Sequence, residues 1–252
     1  MRTSLADQSL CQIWGISESR ETELRGMGFH SPAMLKKDGH IVSSFRNRDK
    51  LLESVTKYEK CRGLDLIDAV VNMFPVGHRV RLVHDYFEDA CFLDIETDSA
   101  SANSAITCIT TILGGEERSF VRGSNLLDFL EVWKRSAMLV TFNGKRFDVP
   151  VIMKEFGLSV VPSQVDLMDE SRHYGLRGGL KAIERVIGFK RCSECHDGMQ
   201  AVNLWQEYSV SHDELILKQL IEYNAEDVRS LIVLYRHLLA LSCENRGFKI
   251  DH

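Results

Sequence analysis

Four carboxylates and one phenol are of the types that metal-assisted chemistry could use if the fold brings them together. Asp94 and Glu96 stand one residue apart in Ala90-Cys91-Phe92-Leu93-Asp94-Ile95-Glu96, a short apolar run with the signature of a strand. Strand alternation turns both acids to one face and Ile95 to the other. Phe92 and Leu93 keep that face from open water, and two carboxylates side by side there repel unless they share a proton or a cation. Asp148 follows Asn143-Gly144-Lys145-Arg146-Phe147, where a strand turns into the first turn of a helix. Tyr223 and Asp227 are four residues apart in a long helical pattern, Leu215 through Leu239, and so share a face. Taken singly, each has an ordinary structural reading. The pair could be an edge-strand pair facing water, Asp148 a helix cap contributing about 1 kcal/mol, and Tyr223–Asp227 a surface hydrogen bond. Brought together, four carboxylates would cost several kcal/mol per ion without a counter-charge. Two divalent cations about 3.5–4 Å apart would remove that cost and support in-line phosphoryl displacement.

The elements that must carry these residues follow from the period of the apolar positions. Strands are predicted over 90–96, 105–113, 118–121, 138–142 and 160–167, with Gly114-Gly115 closing a hairpin. Helices are predicted over 126–134 and 146–156, the latter closed by Gly157, and two or three more extend to about residue 241. That order is a mixed α/β fold. Ahead of it the pattern is helical: 18–27 stopped by Gly28, a helix opened by Ser31-Pro32, then 41–55 and 64–71. The breakers in Pro75-Val76-Gly77-His78 mark the junction, giving a helical N-terminal domain over 1–80 and an α/β domain over 81–252.

Asp94-Ile95-Glu96-Thr97, Asn143-x-x-x-Phe147-Asp148 and Tyr223-x-x-x-Asp227 resemble, in order and spacing, the three exonuclease motifs of the DEDD superfamily. Tyr223 is similar to the tyrosine of the DEDDy branch, and the pattern resembles the predicted prokaryotic RNase H-like exonuclease family over residues 86–240. The resemblance implies a ribonuclease H-like mixed sheet flanked by helices. It also implies 3′→5′ hydrolysis of a single-stranded DNA or RNA end with two divalent cations, Mg²⁺ or Mn²⁺. Carried over by position, Asp94, Glu96, Asp148 and Asp227 are the metal ligands, with Asp148 acting mainly through water, and Tyr223 orients the attacking water. Ile95 is expected to pack against the terminal base, with Thr97, Asn143 and Phe147 as further substrate contacts from the motifs. Two readings compete with the exonuclease: a catalytically silent nucleic-acid-binding domain, and a structure-selective endonuclease on the same fold.

Arg177-Gly178-Gly179-Leu180-Lys181 opens a helix and resembles a stretch that follows the second motif in that family. Its free N–H groups, Arg177 and Lys181 could hold a phosphate, or the segment could be a solvated loop. Lys145 and Arg146 are open to the same two readings, and Asp166 reads as a cap. Cys192-x-x-Cys195-His196 matches a haem-attachment string; a zinc or redox pair and a plain surface loop are the alternatives. Gly15-Ile16-Ser17 with Leu24-x-x-Met27-Gly28-Phe29 resembles a helix-hairpin-helix module, with Ser17 in place of its second hairpin glycine.

Charge is unevenly distributed along the 252 residues. Residues 1–85 carry 13 Lys/Arg against 11 Asp/Glu, and residues 86–252 carry 18 against 25. An acidic second half is a poor general phosphate binder, yet it suits a site that concentrates divalent cations. No apolar run reaches about 18 residues and no secretory core opens the chain, so a cytoplasmic protein without a membrane span is expected. Of the seven cysteines, the five scattered ones, Cys11, Cys61, Cys91, Cys108 and Cys243, read as reduced, often buried thiols in such a compartment.

Overall fold

The computed structural model describes residues 4–99, 104–191, 198–244 and 248. Cys192, Cys195 and His196 lie outside the described residues.

Seven helices precede the sheet: α1 (Leu5–Gln8), α2 (Glu18–Gly26), α3 (Pro32–Lys37), α4 (Gly39–Ser43), α5 (Arg48–Gly63), α6 (Ile67–Met73) and α7 (Val80–Asp85). Polar side chains cap the first five, α1 to α5. Ser17 caps α2 by accepting the Arg20 N–H, the use this chain makes of the position where a hairpin glycine was expected. Gly28, at φ 94°, ends α2 by letting the Phe29 N–H reach the Leu24 carbonyl. The single helix expected over 41–55 is two. Asp38 caps the start of α4, and Asn47 caps α5 by accepting the Lys50 N–H, a group that a continuous helix would have bonded internally. Asp65, at φ 51°, separates α5 from α6, so the helix expected from residue 64 starts at Ile67.

The sheet has five strands in the order β3-β2-β1-β4-β5: β1 (Ala90–Thr97), β2 (Ile106–Leu113), β3 (Glu116–Val121), β4 (Met138–Thr141) and β5 (Ser163–Asp166). β1 to β3 are antiparallel neighbours, whereas β4 and β5 run parallel to β1. β5 is shorter than expected because β4 pairs only with 163–166, and Asp166 then caps the next helix. The connecting helices are α8 (Phe129–Arg135), preceded by a 3-10 turn at Leu126–Asp128, and α9 (Asp148–Phe156). Four helices, not two or three, follow β5 among the described residues: α10 (Leu167–His173), α11 (Leu180–Ile187), α12 (Gly198–Ser211) and α13 (Glu214–Cys243).

Alternation along β1 sorts the two faces. Cys91, Leu93 and Ile95 join Phe120, Phe129, Trp133 and Ile152 in a core under α8 and α9. Ala90 and Phe92 face the other way, into a core with Val228, Leu231, Tyr235 and Leu238 of α13. That second core also takes in Leu5, Leu24, Leu51, Val55 and Val83, so the N-terminal helices and the sheet bury apolar surface together. α13, 30 residues and about 45 Å long, lies across β1 and β2. No helix among the described residues is long and apolar enough to cross a membrane.

Candidate active site

Asp94 and Glu96 continue the row of Ala90 and Phe92 toward α13, at the end of β1 where the sheet opens. β4 pairs with β1 only at residues 90–92, so beyond Leu93 one edge of β1 has lost its strand partner. The freed Ile95 N–H donates to Oδ1 of Asp148 at 3.3 Å. A backbone group that the sheet leaves unpaired therefore fixes the third acid beside the first two. The crevice beyond the carboxyl ends of parallel strands is the usual place for a ligand in open α/β sheets.

Asp148 opens α9, and the turn before it is held from below. Asp166, at the end of β5, accepts the N–H groups of Asn143 (2.8 Å) and Lys145 (3.2 Å) while also capping α10. Asn143 sits at φ 63° and Gly144 packs on Thr141, where an added Cβ would lie 2.4 Å from the threonine side chain. The turn thus needs a left-handed residue followed by one without a side chain.

α13 closes the site from the opposite side. Tyr223, Asn224 and Asp227 are all buried. Asn224 donates to Oδ2 of Asp94 at 2.8 Å. Oxygens of Asp94, Glu96 and Asp227 lie within 4.8 Å of one another, an arrangement able to hold a metal ion. The three sequence-distant segments therefore meet at one point. Lys181 of α11 donates to the Tyr223 hydroxyl at 2.8 Å and stands 4.4 Å from its ring. Arg191 ion-pairs with Asp227 and with Glu184 of α11, its guanidinium 5.9 Å from the Tyr223 ring.

The electrostatics match the geometry. Burial pushes Asp94 well above the usual carboxylate range, and Asp148, Asp227 and Glu96 push it further. Glu96 is raised by burial, then by Asp227 and Asp148, with Lys181 opposing. Burial lifts Asp148 to about 7, Asp166 and Asp227 adding to it against the Ile95 hydrogen bond. Asp227 is also raised by burial, although Arg191 pulls it back. Two nearby protein cations do not neutralise this cluster. A hard, oxygen-preferring divalent ion would fit such an all-carboxylate donor set.

The expected substrate contacts are placed less uniformly. Phe147 exposes its ring beside Asp148, at 39%. Thr97 is buried and donates to the Ser99 carbonyl. Lys181 is turned to Tyr223. Arg177 is exposed, and no described contact ties it to the cluster. The Ile95 wedge is corrected: the side chain is 4% exposed in the core under α8 and α9, on the face opposite Asp94 and Glu96, and it offers no surface to a base. Sequence reasoning missed Asn224 and Arg191. Asn224 carries a signal, since Leu220, Asn224, Asp227, Val228 and Leu231 form one helical stripe, and a buried amide there must have polar partners. Arg191 lies beyond the end of α11 with no local pattern to mark it.

A family model, RNase_H_2 of the RNase_H superfamily, matches residues 91–239, more than half of the chain and a span within which Asp94, Glu96, Asp148, Tyr223 and Asp227 fall. No curated protein matches the sequence. Among solved structures, the family B DNA polymerase from the hyperthermophilic archaeon Pyrobaculum calidifontis is similar at 19% identity with a TM-score of 0.48. That match covers 60% of this chain and 24% of the polymerase chain, so it spans about a quarter of the larger protein.

Proposed function

This chain belongs to the RNase_H superfamily, and from that premise we propose that it is a metal-dependent nuclease that removes nucleotides from single-stranded 3′ ends. The observation that carries the proposal is the meeting of Asp94, Glu96 and Asp227 within 4.8 Å, with Asp148 beside them and every one of the four raised in pKa. Such a constellation has little reason to exist without cations. In this reading residues 81–252 form the nuclease domain, and the helices of 1–80 buttress it through their shared core.

Asp94, Glu96 and Asp227 would hold divalent cations, Mg²⁺ or Mn²⁺, with Asp148 completing the set. Bound there, two such ions supply an activated water and neutralise charge at the scissile phosphate. The chain's own residues do the rest. Asn224 locks one oxygen of Asp94, so the carboxylate keeps a single orientation. The Tyr223 hydroxyl, held by Lys181, is positioned to orient a water rather than to act as a strong base. The exposed Phe147 ring offers a terminal base a stacking surface. A cavity of about 210 Å³ lined by Lys181, Glu184, Arg185, Phe189 and Arg191 adjoins these residues and brings three basic groups to a passing backbone.

The test is a digest of DNA and RNA oligonucleotides labelled at either end, with Mg²⁺, Mn²⁺ or chelator. The proposal predicts immediate release of the 3′ label as a mononucleotide, stepwise shortening of 5′-labelled strands, and no cleavage with chelator. Internal cuts would replace it with the endonuclease reading, and inertness with both ions would replace it with the silent binding domain.

A further inference from the structure

Glu18, His78 and His173 come from three distant parts of the chain, and their side chains meet away from the acidic cluster. Nε2 of His78 lies 2.9 Å and Nε2 of His173 2.7 Å from the same carboxylate oxygen, Oε1 of Glu18. All three ligand-capable atoms fall within 4.8 Å of one another. We propose that this trio is a second metal site, distinct from the nuclease centre, that takes Zn²⁺ or a similar borderline divalent ion.

The donor chemistry selects the ion. Two imidazole nitrogens with one carboxylate oxygen suit zinc and its late first-row neighbours, whereas the all-carboxylate nuclease cluster suits Mg²⁺ or Mn²⁺. Zinc bonds of about 2.0–2.1 Å in a tetrahedron set ligand atoms about 3.3 Å apart. The present contacts need to open by only a few tenths of an ångström. His78 is fully buried, while the Glu18 and His173 side chains are 40% and 31% exposed, so the protein covers one side and leaves the other to water as a fourth ligand. Without an ion the Nε2–H groups donate to Glu18; ligation would replace those hydrogen bonds, each ring then carrying its proton on Nδ1 and offering the Nε2 lone pair.

The rings are seated in advance. Gly77, at φ 93°, lies against His173 so closely that an added Cβ would fall 2.2 Å from the imidazole. Glu170 accepts the N–H groups of Gly77 and Arg79, and the Tyr174 hydroxyl donates to the Gly77 carbonyl, which clamps the backbone on both sides of His78. Preorganisation of this kind is what a ligand shell requires. The position of the trio gives the ion a role. Glu18 opens α2, His78 lies in the junction ahead of α7, and His173 ends α10, whose cap Asp166 holds the turn leading to Asp148. A zinc ion here would staple the N-terminal helices to the element that supports the nuclease site.

The test is a zinc titration of the chelator-stripped full chain against a chromophoric competitor, comparing wild type with His173→Ala, Glu18→Gln, Asp94→Asn and Cys192→Ser. The wild type, Asp94→Asn and Cys192→Ser should each take up a tight equivalent that His173→Ala and Glu18→Gln hold at least about 10-fold more weakly. Co²⁺ at the site should give a visible d–d band without thiolate charge transfer. Should His173→Ala fail to fold, Glu18→Gln, at an exposed position, carries the comparison alone. The proposal is overturned if the wild type takes up no zinc beyond the equivalent lost in Cys192→Ser, or if the His173 and Glu18 variants titrate as the wild type does.

Discussion

Glu21 and the Asp94–Glu96–Asp227 cluster are both acids withdrawn from water, and this chain answers them in opposite ways. Glu21 is fully buried, and burial alone would raise its pKa. Arg81, itself fully buried and 3.2 Å away, together with the Leu10 N–H, outweighs that cost and holds the carboxyl below the usual range. Arg81 also reaches the Ser242 carbonyl and Ser9, so the pair ties α2 and α7 to the end of α13. At the cluster the balance is reversed. Four acids are raised, and Arg191 and Lys181 moderate the repulsion without removing it. A buried acid with a matched partner is architecture; buried acids left in excess point to an ion supplied from outside.

The comparison is broken most forcefully at Arg81. Arg81→Met strands the Glu21 charge and should cost about 3–5 kcal/mol, read as a lower urea midpoint. The opposite sign is expected at the cluster. Asp94→Asn or Asp227→Asn should lower hydrolysis at least about 100-fold; Asp94→Asn, which breaks no ion pair, should leave metal-free stability unchanged or higher because it removes a repelling charge, as read from urea midpoints. Equal destabilisation in both regions would erase the distinction.

How much of this was legible in the sequence depends on the range of the interaction that fixes each residue. Asp94 and Glu96 could be put on one strand face, and Tyr223 and Asp227 on one helix face, because local period alone decides those relations. The succession of strands and helices along residues 90–141 was readable for the same reason, although not the order of the strands in the sheet. The split between α4 and α5 was not, because Ile41, Leu51 and Val55 keep a helical period across a break made by the Asn47 cap. For Ile95 the pleat decides: alternation sets it opposite the acids and into the core, whatever its place in the motif suggests. Arg191 and the convergence of Glu18, His78 and His173 depend on contacts between remote segments, which no local pattern carries.

pH sharpens the contrast more gently. Asp148 titrates near 7 when folded and near its ordinary value when unfolded, so the folded state keeps a proton that the unfolded state has lost. Stability from this group is full below the unfolded pKa and is lost as pH rises toward 7, at up to about 1.4 kcal/mol per pH unit. In chelator, the gap between Asp148→Asn and wild type should therefore widen from pH 4.5 to 7 and then level off, as measured by urea midpoints. Smaller still, Lys181→Met removes the hydrogen bond from Lys181 to the Tyr223 hydroxyl and should reduce turnover by about 10-fold with little change in stability.

The most direct measurement is thermal melting of the chelator-stripped protein against increasing Mg²⁺, an ion ill suited to the histidine trio. The account predicts a rising midpoint for the wild type, equivalent to about 2.7 kcal/mol at a hundredfold excess over Kd, and none for Asp94→Asn or Asp227→Asn. A wild-type midpoint indifferent to Mg²⁺, or an equal rise in the variants, would contradict the claim that the acidic cluster is a cation site.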